Sequence, residues 1–340
     1  MFSRSRPPRP IVVRVWRRIK TGPPVELADG LIPKGERVVQ FCHPQWRGVR
    51  TATHAFGSSV VELADLAPPA RDLATRLASA GTERIVIQGW PPGAEALARH
   101  AHRAGLAVAV VSHASLAQHG TDAGEAERVS EVLDLIGEGI VDRIGFVKRG
   151  LAEAFTAMGH PAHPLTNRLP HLPAVKPNDF GPGDHVGVFV HPYWRKNVTT
   201  QIAAAMILGA TAHVMHRPAV RYLPHNRIVE HGELPRERFL AALAGVDINL
   251  HVTLSECHPM TPMESYLLGV PCLISRTSSL FTDDPEFLAL TSVVEIDDPQ
   301  RIAETAKVLA KARQDAVPRA VASLRRMDTA AAGAWAAFVS

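Results

Sequence analysis

From about residue 37 to residue 310 the chain alternates short, continuously apolar runs with segments whose apolar residues recur at helical spacing. That alternation restricts the fold more than any other feature. Strands that show no polar alternation are buried on both faces, and the helices between them provide the cover, so the pattern implies parallel sheets in an α/β layering. In the first half, the runs 37–42, 60–63, 84–88, 106–111 and 143–147 read as strands. Helical patterns over 51–57, 68–80, 92–103, 123–136 and 150–158 alternate with them; the second carries Leu73 and Leu77 on one face and stops at Gly81. The texture then changes. Six prolines fall between Pro161 and Pro182, with Asn167, Asn178 and Gly181 among them, as expected of a connector between domains.

A second alternation follows, with strands over 186–190, 211–215, 247–251, 272–275 and 292–296. Helices are expected over 199–208, 236–244, 262–268 and 299–310, and 321–339 is helical in pattern. A chain of 340 residues is long enough for two cores. The expected division is a basic extension over 1–35, a first α/β domain over 36–174, a second over 175–325, and a terminal helix over 326–340.

Charge separates the extension from the body. Arg4, Arg6, Arg9, Arg14, Arg17, Arg18 and Lys20 give +7 with no acid among the first twenty residues. Removing those seven from 37 basic residues leaves 30 against 33 acidic, so a chain of net +4 has a body of about −3. Such an arm can touch an anionic membrane surface, at about 1 kcal/mol per basic side chain, or remain a solvated tail. No nucleic-acid recognition motif accompanies it, which argues against that partner. No apolar run approaches the ~18 residues of a membrane span, and no signal peptide is visible. Three cysteines (Cys42, Cys257 and Cys272) make no paired framework and have no metal-ligand spacing. A cytoplasmic protein is expected, with the arm as a solvated tail, an edge strand over residues 11–20, or a peripheral contact at the inner membrane face.

The most informative stretch is Ser255-Glu-Cys-His-Pro-Met-Thr-Pro-Met-Glu264, which leads into Leu267-Leu-Gly-Val-Pro271. Glu256 is expected in a turn after a strand, and Glu264 at the opening of a helix that stops at Gly269. Both positions face the crevice at the carboxyl ends of a parallel sheet, where ligands bind. Carboxylates there suit hydroxyl-rich ligands such as ribose and hexoses, because each accepts two or more hydrogen bonds.

This block resembles the nucleotide-sugar site of retaining glycosyltransferases of the GT-B fold, the family-4-like group, whose pattern is Ser-Glu-Gly-Phe-Gly…Glu-Ala…Gly-x-Pro-Val. Ser255, Glu256, Glu264, Gly269 and Pro271 fit, while Cys257, His258 and Pro259 replace the glycine-rich part. The resemblance covers roughly residues 36–325 and is specific in the second domain, diffuse in the first. It implies two Rossmann-like domains facing a cleft, with the terminal helix crossing back to the first. It also implies transfer of a sugar from a nucleoside diphosphate to a glycan, glycolipid or other acceptor of the cell-surface type, with retention at the anomeric carbon. The donor is itself the substrate, and no cofactor or metal is implied.

Residue by residue, Glu264 would hold the ribose, Glu256 the donor sugar, and Lys196 the diphosphate. The stretch His191-Pro-Tyr-Trp-Arg-Lys-Asn197 matches the family's Gly-Arg-Leu-x-x-x-Lys-Gly at Lys196, with Asn197 in the small place after it. His191 stands where the family has arginine, so Arg195 is the expected second cation; cations there offset charge that grows on the leaving diphosphate. His113, in Val111-Ser-His-Ala-Ser115, resembles the first-domain histidine that reaches the donor ring, with His119 as its competitor. Gly48 matches one glycine of the family's first-domain loop, and Arg47 occupies the other. Gly232 and Leu234 are expected to flank the base. Cys257, His258, Met260 and Thr261 complete the donor-binding set, with His113, Lys196 and Glu256 at the reacting centre.

Dinucleotide-binding glycine fingerprints, a phosphate-binding P-loop, serine-hydrolase elbows and metal-ligand spacings do not occur in the sequence. Two alternatives share the expected fold: a catalytically inactive GT-B scaffold, which the altered Glu-Cys-His-Pro turn favours, and a nucleotide-sugar epimerase.

Overall fold

A computed structural model of the protein describes residues 33, 35–120 and 123–340. The basic arm and nearly all of the 1–35 extension lie outside the described residues. The first sheet contains β1 (Val38–Cys42), β2 (Ser59–Glu62), β3 (Arg84–Gln88), β4 (Ala107–Ser112), β5 (Arg143–Phe146) and β6 (Ala162–Pro164). Its helices are α1 (Arg47–Ala55), α2 (Ala70–Ser79), α3 (Ala94–Arg103), α4 (Ala123–Gly137) and α5 (Leu151–Ala157). All pairings are parallel, in the order β2-β1-β3-β4-β5-β6. The order reverses direction between β1 and β3, which opens a crevice beyond their carboxyl ends.

The second sheet comprises β7 (His185–Val188), β8 (Thr211–Val214), β9 (Ile228–Glu230), β10 (Ile248–His251), β11 (Cys272–Ser275) and β12 (Ser292–Val293). Around it run α6 (Val198–Ile207), α7 (Arg236–Ala244), α8 (Met260–Leu267), α9 (Pro285–Thr291), α10 (Pro299–Lys311) and α11 (Arg313–Val339). The order β12-β11-β10-β7-β8-β9, again all parallel, is that of a doubly wound dinucleotide-type fold, with its switch point between β7 and β10. Every residue of β7, β10 and β11 is buried, including the polar His185, Asn249, His251 and Ser275, as expected of central strands covered on both faces. Gly187 in β7 lies beside Asn249 of β10, where an added Cβ would come within 2.0 Å of Asn249 Oδ1, so the switch point closes only around a glycine.

The expected fold class holds: two Rossmann-like α/β domains and a terminal helix that returns to the first. The first half of α11 contributes Ala316, Ala320 and Leu324 to the core of the second sheet. Its last turns insert Trp335 and Phe338 among Phe56, Val86, Val111 and Leu165 of the first. Trp335 stacks on Phe56 with ring centroids 4.3 Å apart. Gly145 of β5 makes room, since a Cβ there would approach Leu165 Cδ1 to 2.3 Å and Phe338 Cζ to 3.2 Å. Midway along α11, Asp328 accepts both a bidentate pair from Arg168, at 3.0 and 2.9 Å, and the Leu169 N–H at 2.9 Å.

Several element bounds differ from expectation. Helix α11 begins at Arg313 rather than 321, because the buried alanines around Pro318 hold the helix through a residue that ordinarily breaks one. Edge strands β6 and β9, each three residues long, were not expected; the first follows Pro161 and ends in Pro164, which an edge position tolerates. Helix α9 was also unexpected, although Asp284 caps it through the Phe287 N–H and Pro285 occupies its first position.

Candidate functional site

The two sheets face a cleft of about 910 Å³. Its second-domain wall is built at the switch point. The loop after β7 runs from Phe189 to Asn197 and the loop after β10 from Val252 to Pro259, and hydrogen bonds stitch them together. Buried Gln201 accepts from the Val252 N–H at 2.9 Å and donates to the Lys196 carbonyl at 2.7 Å. The Leu254 N–H donates to the Arg195 carbonyl at 2.8 Å. Asn197 stands in the left-handed region with φ of 55°, and its amide donates to the carbonyls of Val252 and Ile296. That conformation accounts for a glycine-or-asparagine place after Lys196.

These loops bring Lys196 and Glu256 into a direct ion pair, although they are 60 positions apart in sequence. Arg195 Nη1 lies 4.0 Å from the same carboxylate oxygen and His251 Nε2 lies 3.2 Å from it. Burial alone would raise the pKa of Glu256; Lys196, then His251 and Arg195, outweigh it and hold the carboxyl well below the usual carboxylate range. Burial, only partly opposed by Glu256, lowers the pKa of His251. Glu256 is therefore a fixed anion in a cationic setting. Sequence spacing did not single out His251 or Gln201. The alternation of β10 provides the only signal, since its last residue faces the crevice.

Glu264 does not open a helix as expected. Helix α8 starts at Met260, so Pro262 lies in its first turn, where a missing N–H costs nothing, and Glu264 lies in the second. The residue is 2 % exposed, and its Oε1 lies 2.7 Å from Arg236 Nη1, an ion pair too poorly aligned to count as a hydrogen bond. Burial raises its pKa, and Arg236 opposes the shift. Arg236, at the start of α7, was not expected in the site.

Cys257, His258, Met260 and Thr261 all line the cleft. The Cys257 thiol is pushed up to about 12 by burial and then by Glu256, so it is no nucleophile. His258 places Nε2 3.0 Å from the Met327 sulfur of α11, and burial lowers its pKa to about 4. Its carbonyl accepts from Asn167 of the first domain at 2.8 Å.

On the facing wall, His113 sits at the end of a chain of side-chain amides. Gln40 donates to the Thr53 carbonyl at 3.3 Å and Gln88 donates to Gln40 Oε1 at 2.7 Å, so Gln88 Oε1 must accept from His113 Nε2 at 2.8 Å. That fixes the proton on Nε2 and leaves Nδ1 as an acceptor. Burial lowers the His113 pKa to about 4, so the ring is neutral. His119 lies in a 3₁₀ turn (Leu116–Gly120) and is absent from the lining of the cleft.

The first-domain placement differs from expectation in one respect. Gly48 lies within α1, not in a loop, and has no positive φ. The loop ends at Trp46 because α1 already starts at Arg47, so Gly48 lines the cleft from a helical turn. Arg47 faces across the cleft. Its guanidinium donates to the Leu234 carbonyl and pairs with Glu233 at 2.8 Å, so its charge is committed to the second domain. Leu234 does line the cleft, whereas Gly232 does not. Lys148 was missed: it donates to the Glu256 carbonyl at 2.6 Å and the Thr277 carbonyl at 2.7 Å, tying the Glu256 loop to the first domain. Ser115 and Ser255 meet at 2.7 Å across the same junction.

Four of the seven buried polar atoms that lack a protein hydrogen-bond partner among the described residues belong to cleft-lining residues: Asn167 Oδ1, His251 Nδ1, His258 Nδ1 and Glu264 Oε1. Glu264 Oε1 still has the Arg236 charge beside it, and the other three are costly to leave unpaired. The fold also gathers His191, His216 and Glu233, far apart in sequence, at the cleft's rim.

Neither a protein-family model nor a curated protein matches the sequence. Solved structures do resemble the fold. Sucrose-phosphate synthase from Thermosynechococcus elongatus superposes with a TM-score of 0.56 at 14% identity, over 88% of this chain and 99% of that one. The N-terminal domain of Candida albicans trehalose-6-phosphate phosphatase gives 0.57 at 9% identity, over 87% and 95%. A putative UDP-N-acetylglucosamine 2-epimerase from Listeria monocytogenes gives 0.52 at 13% identity, over 85% and 94%. The shared feature is the arrangement of two Rossmann-like domains about a cleft, which is the GT-B fold.

Proposed function

We propose that the protein is a retaining glycosyltransferase of the family-4-like type, which moves a sugar from a nucleoside diphosphate to a glycan or lipid-linked acceptor. The observation that carries this reading is the buried cluster of Lys196, Arg195, His251 and Glu256 at the switch point, in the same cleft as Glu264. A fixed carboxylate accepts hydrogen bonds from sugar hydroxyls, and the adjacent cations offset charge on a departing diphosphate. Glu264 is assigned to the ribose and the cleft-facing acceptor nitrogen of His113 to the donor ring.

In the transfer, the bond between the anomeric carbon and the phosphate oxygen breaks, and a bond from the same face to the acceptor oxygen forms. The acceptor's proton passes to the departing phosphate oxygen, so no protein base is assigned. The contacts of Lys148, Asn167, Ser115 and Arg47 between the domains close the cleft around the donor and limit its loss to water.

A second reading, epimerisation of a nucleotide sugar, is favoured by the similarity to the Listeria structure. Proton NMR distinguishes the two. UDP-, GDP-, ADP- and TDP-hexoses are incubated with the protein while the anomeric signals are followed. Transfer to an added acceptor, or slow transfer to water, releases nucleoside diphosphate and first gives a product with the donor's anomeric configuration, and Glu256→Gln abolishes it. An epimerase instead yields a new nucleotide sugar with no free diphosphate. Absence of both reactions for every donor leaves a scaffold that catalyses neither.

A further inference from the structure

Strands β7, β8 and β9 are neighbours, so the residues just beyond them stand side by side at the cleft's rim: His191 after β7, His216 after β8 and Glu233 after β9. Each offers one ligating atom, and the three atoms all lie within 4.8 Å of one another. His191 Nδ1 is 3.7 Å from Glu233 Oε1, and His216 Nε2 is 2.9 Å from the same oxygen. These separations bracket the edge of about 3.4 Å expected between ligands of a tetrahedral ion with bonds of roughly 2.1 Å. The two imidazoles are nearly parallel, with a 27° interplanar angle and centroids 6.4 Å apart.

We propose that His191, His216 and Glu233 bind a divalent transition-metal ion of the Zn²⁺ or Co²⁺ class. Two imidazoles and one carboxylate form the donor set such ions prefer, and three protein ligands leave a position open for water or substrate. Two further features support a built site. Glu230 Oε1 lies 3.7 Å from His216 Nδ1, on the other side of the ring, which puts a second negative charge near the ion without a hydrogen bond to the ring. Arg47 pairs with Glu233 through Oε2 at 2.8 Å, which orients the carboxylate and leaves Oε1 toward the histidines. The ligands are half-buried, with side-chain exposures of 39%, 34% and 51%, so an ion can enter from solvent.

The position gives the ion a second role, which rests on the glycosyl-transfer reading. His191 lines the cleft at the start of the loop that carries Arg195 and Lys196. An ion there adds positive charge beside the proposed diphosphate site, at the place where the resembling family has an arginine. The inference departs from the sequence expectation that no metal is bound.

Untagged full-length protein, stripped with a chelator, is titrated with Co²⁺ while visible absorption is recorded, and Zn²⁺ is then used as a competitor. The wild type should show one equivalent of tightly bound Co²⁺ with a ligand-field band that Zn²⁺ abolishes. His191→Ala and His216→Ala should each weaken binding at least tenfold. His102→Ala, on the surface of α3, should leave it unchanged. Thermal midpoints of the stripped variants establish that they are folded. A wild type that binds no more Co²⁺ than the His191→Ala/His216→Ala double variant overturns the site. UDP and GDP affinities, measured with and without Zn²⁺, test the second role separately. At least fivefold tighter binding with the ion supports it, and equal affinity by a protein that does hold the metal overturns that role alone.

Discussion

Lys196→Met removes the nearest cation from a carboxylate that is only 12 % exposed. Breaking a buried pair from one side costs about 3–5 kcal/mol, because the remaining charge is left without compensation. Here the loss should fall near the lower bound. Arg195 remains 4.0 Å from Glu256, and at an effective dielectric of 20 a pair at that distance retains about 4 kcal/mol of attraction before desolvation is counted. Lys196→Met should therefore destabilise the protein by about 3 kcal/mol at pH 7, Glu256→Gln by less, and the double variant by less than the sum of the two. Urea unfolding of the four proteins gives the coupling directly.

The pH dependence supplies a second check. Glu256 has a lower pKa folded than unfolded, so its contribution is fully present above the unfolded value of about 4.3 and is lost as pH falls below it. Lys196→Met raises the folded pKa and moves the onset of that loss to higher pH, while Glu256→Gln removes this part of the slope. A Lys196–Glu256 coupling below about 0.5 kcal/mol, the size of an exposed pair, would refute the buried ion cluster.

Three other outcomes follow from the same structure. Trp335→Ala should cost about 3–5 kcal/mol and loosen the return of α11 onto the first domain, read as earlier urea unfolding and faster proteolysis within the connector at 165–184. His113, with its pKa lowered to about 4, should remain neutral with the proton on Nε2 from pH 8 to pH 5 by nitrogen-detected NMR. Its contribution to stability is present above about 6.5 and lost as pH falls toward 4, whereas a titration midpoint near 6.5 would contradict its burial and its bond to Gln88. Cys42, Cys257 and Cys272 are all buried, so a thiol reagent should label fewer than one cysteine in the native protein at pH 8 and three after denaturation; rapid native labelling of Cys257 would contradict its placement.

The sequence carried most of the architecture because strands buried on both faces leave unbroken apolar runs that need no tertiary information to recognise. Strand 272–275 emerges with the expected bounds for that reason, and helix 236–244 does so because Pro235 and Gly245 bracket it. Edge strands β6 and β9 leave almost no such trace, since three residues beside a loop have neither period nor length. Helix α9 does carry a local signature, the Asp284 cap followed by Pro285, but at seven residues it has too little apolar period to stand out. At the site, Glu256, Lys196 and Arg195 were legible as a motif, and their convergence depended on the switch point between β7 and β10. His251, Arg236 and Lys148 were not legible. Their roles depend on where a strand ends or which domain lies opposite, and spacing along one segment does not encode either. Gly48 and Arg47 line the cleft from α1 rather than from a loop, and the pairing of Arg47 with Glu233, nearly two hundred residues away, was illegible for the same reason.

The central claim is a nucleoside-diphosphate sugar held in the cleft by Lys196 and Glu264. It is tested most directly by thermal shift with UDP, GDP, ADP, TDP and their common hexose conjugates, on the wild type, Lys196→Ala and Glu264→Ala. A site filled at about a hundred times Kd adds about 2.7 kcal/mol of apparent stability. The account predicts a rise in Tm with one base in preference to the others, lost in both variants. No shift with any nucleotide, or a shift that both variants retain, would contradict it.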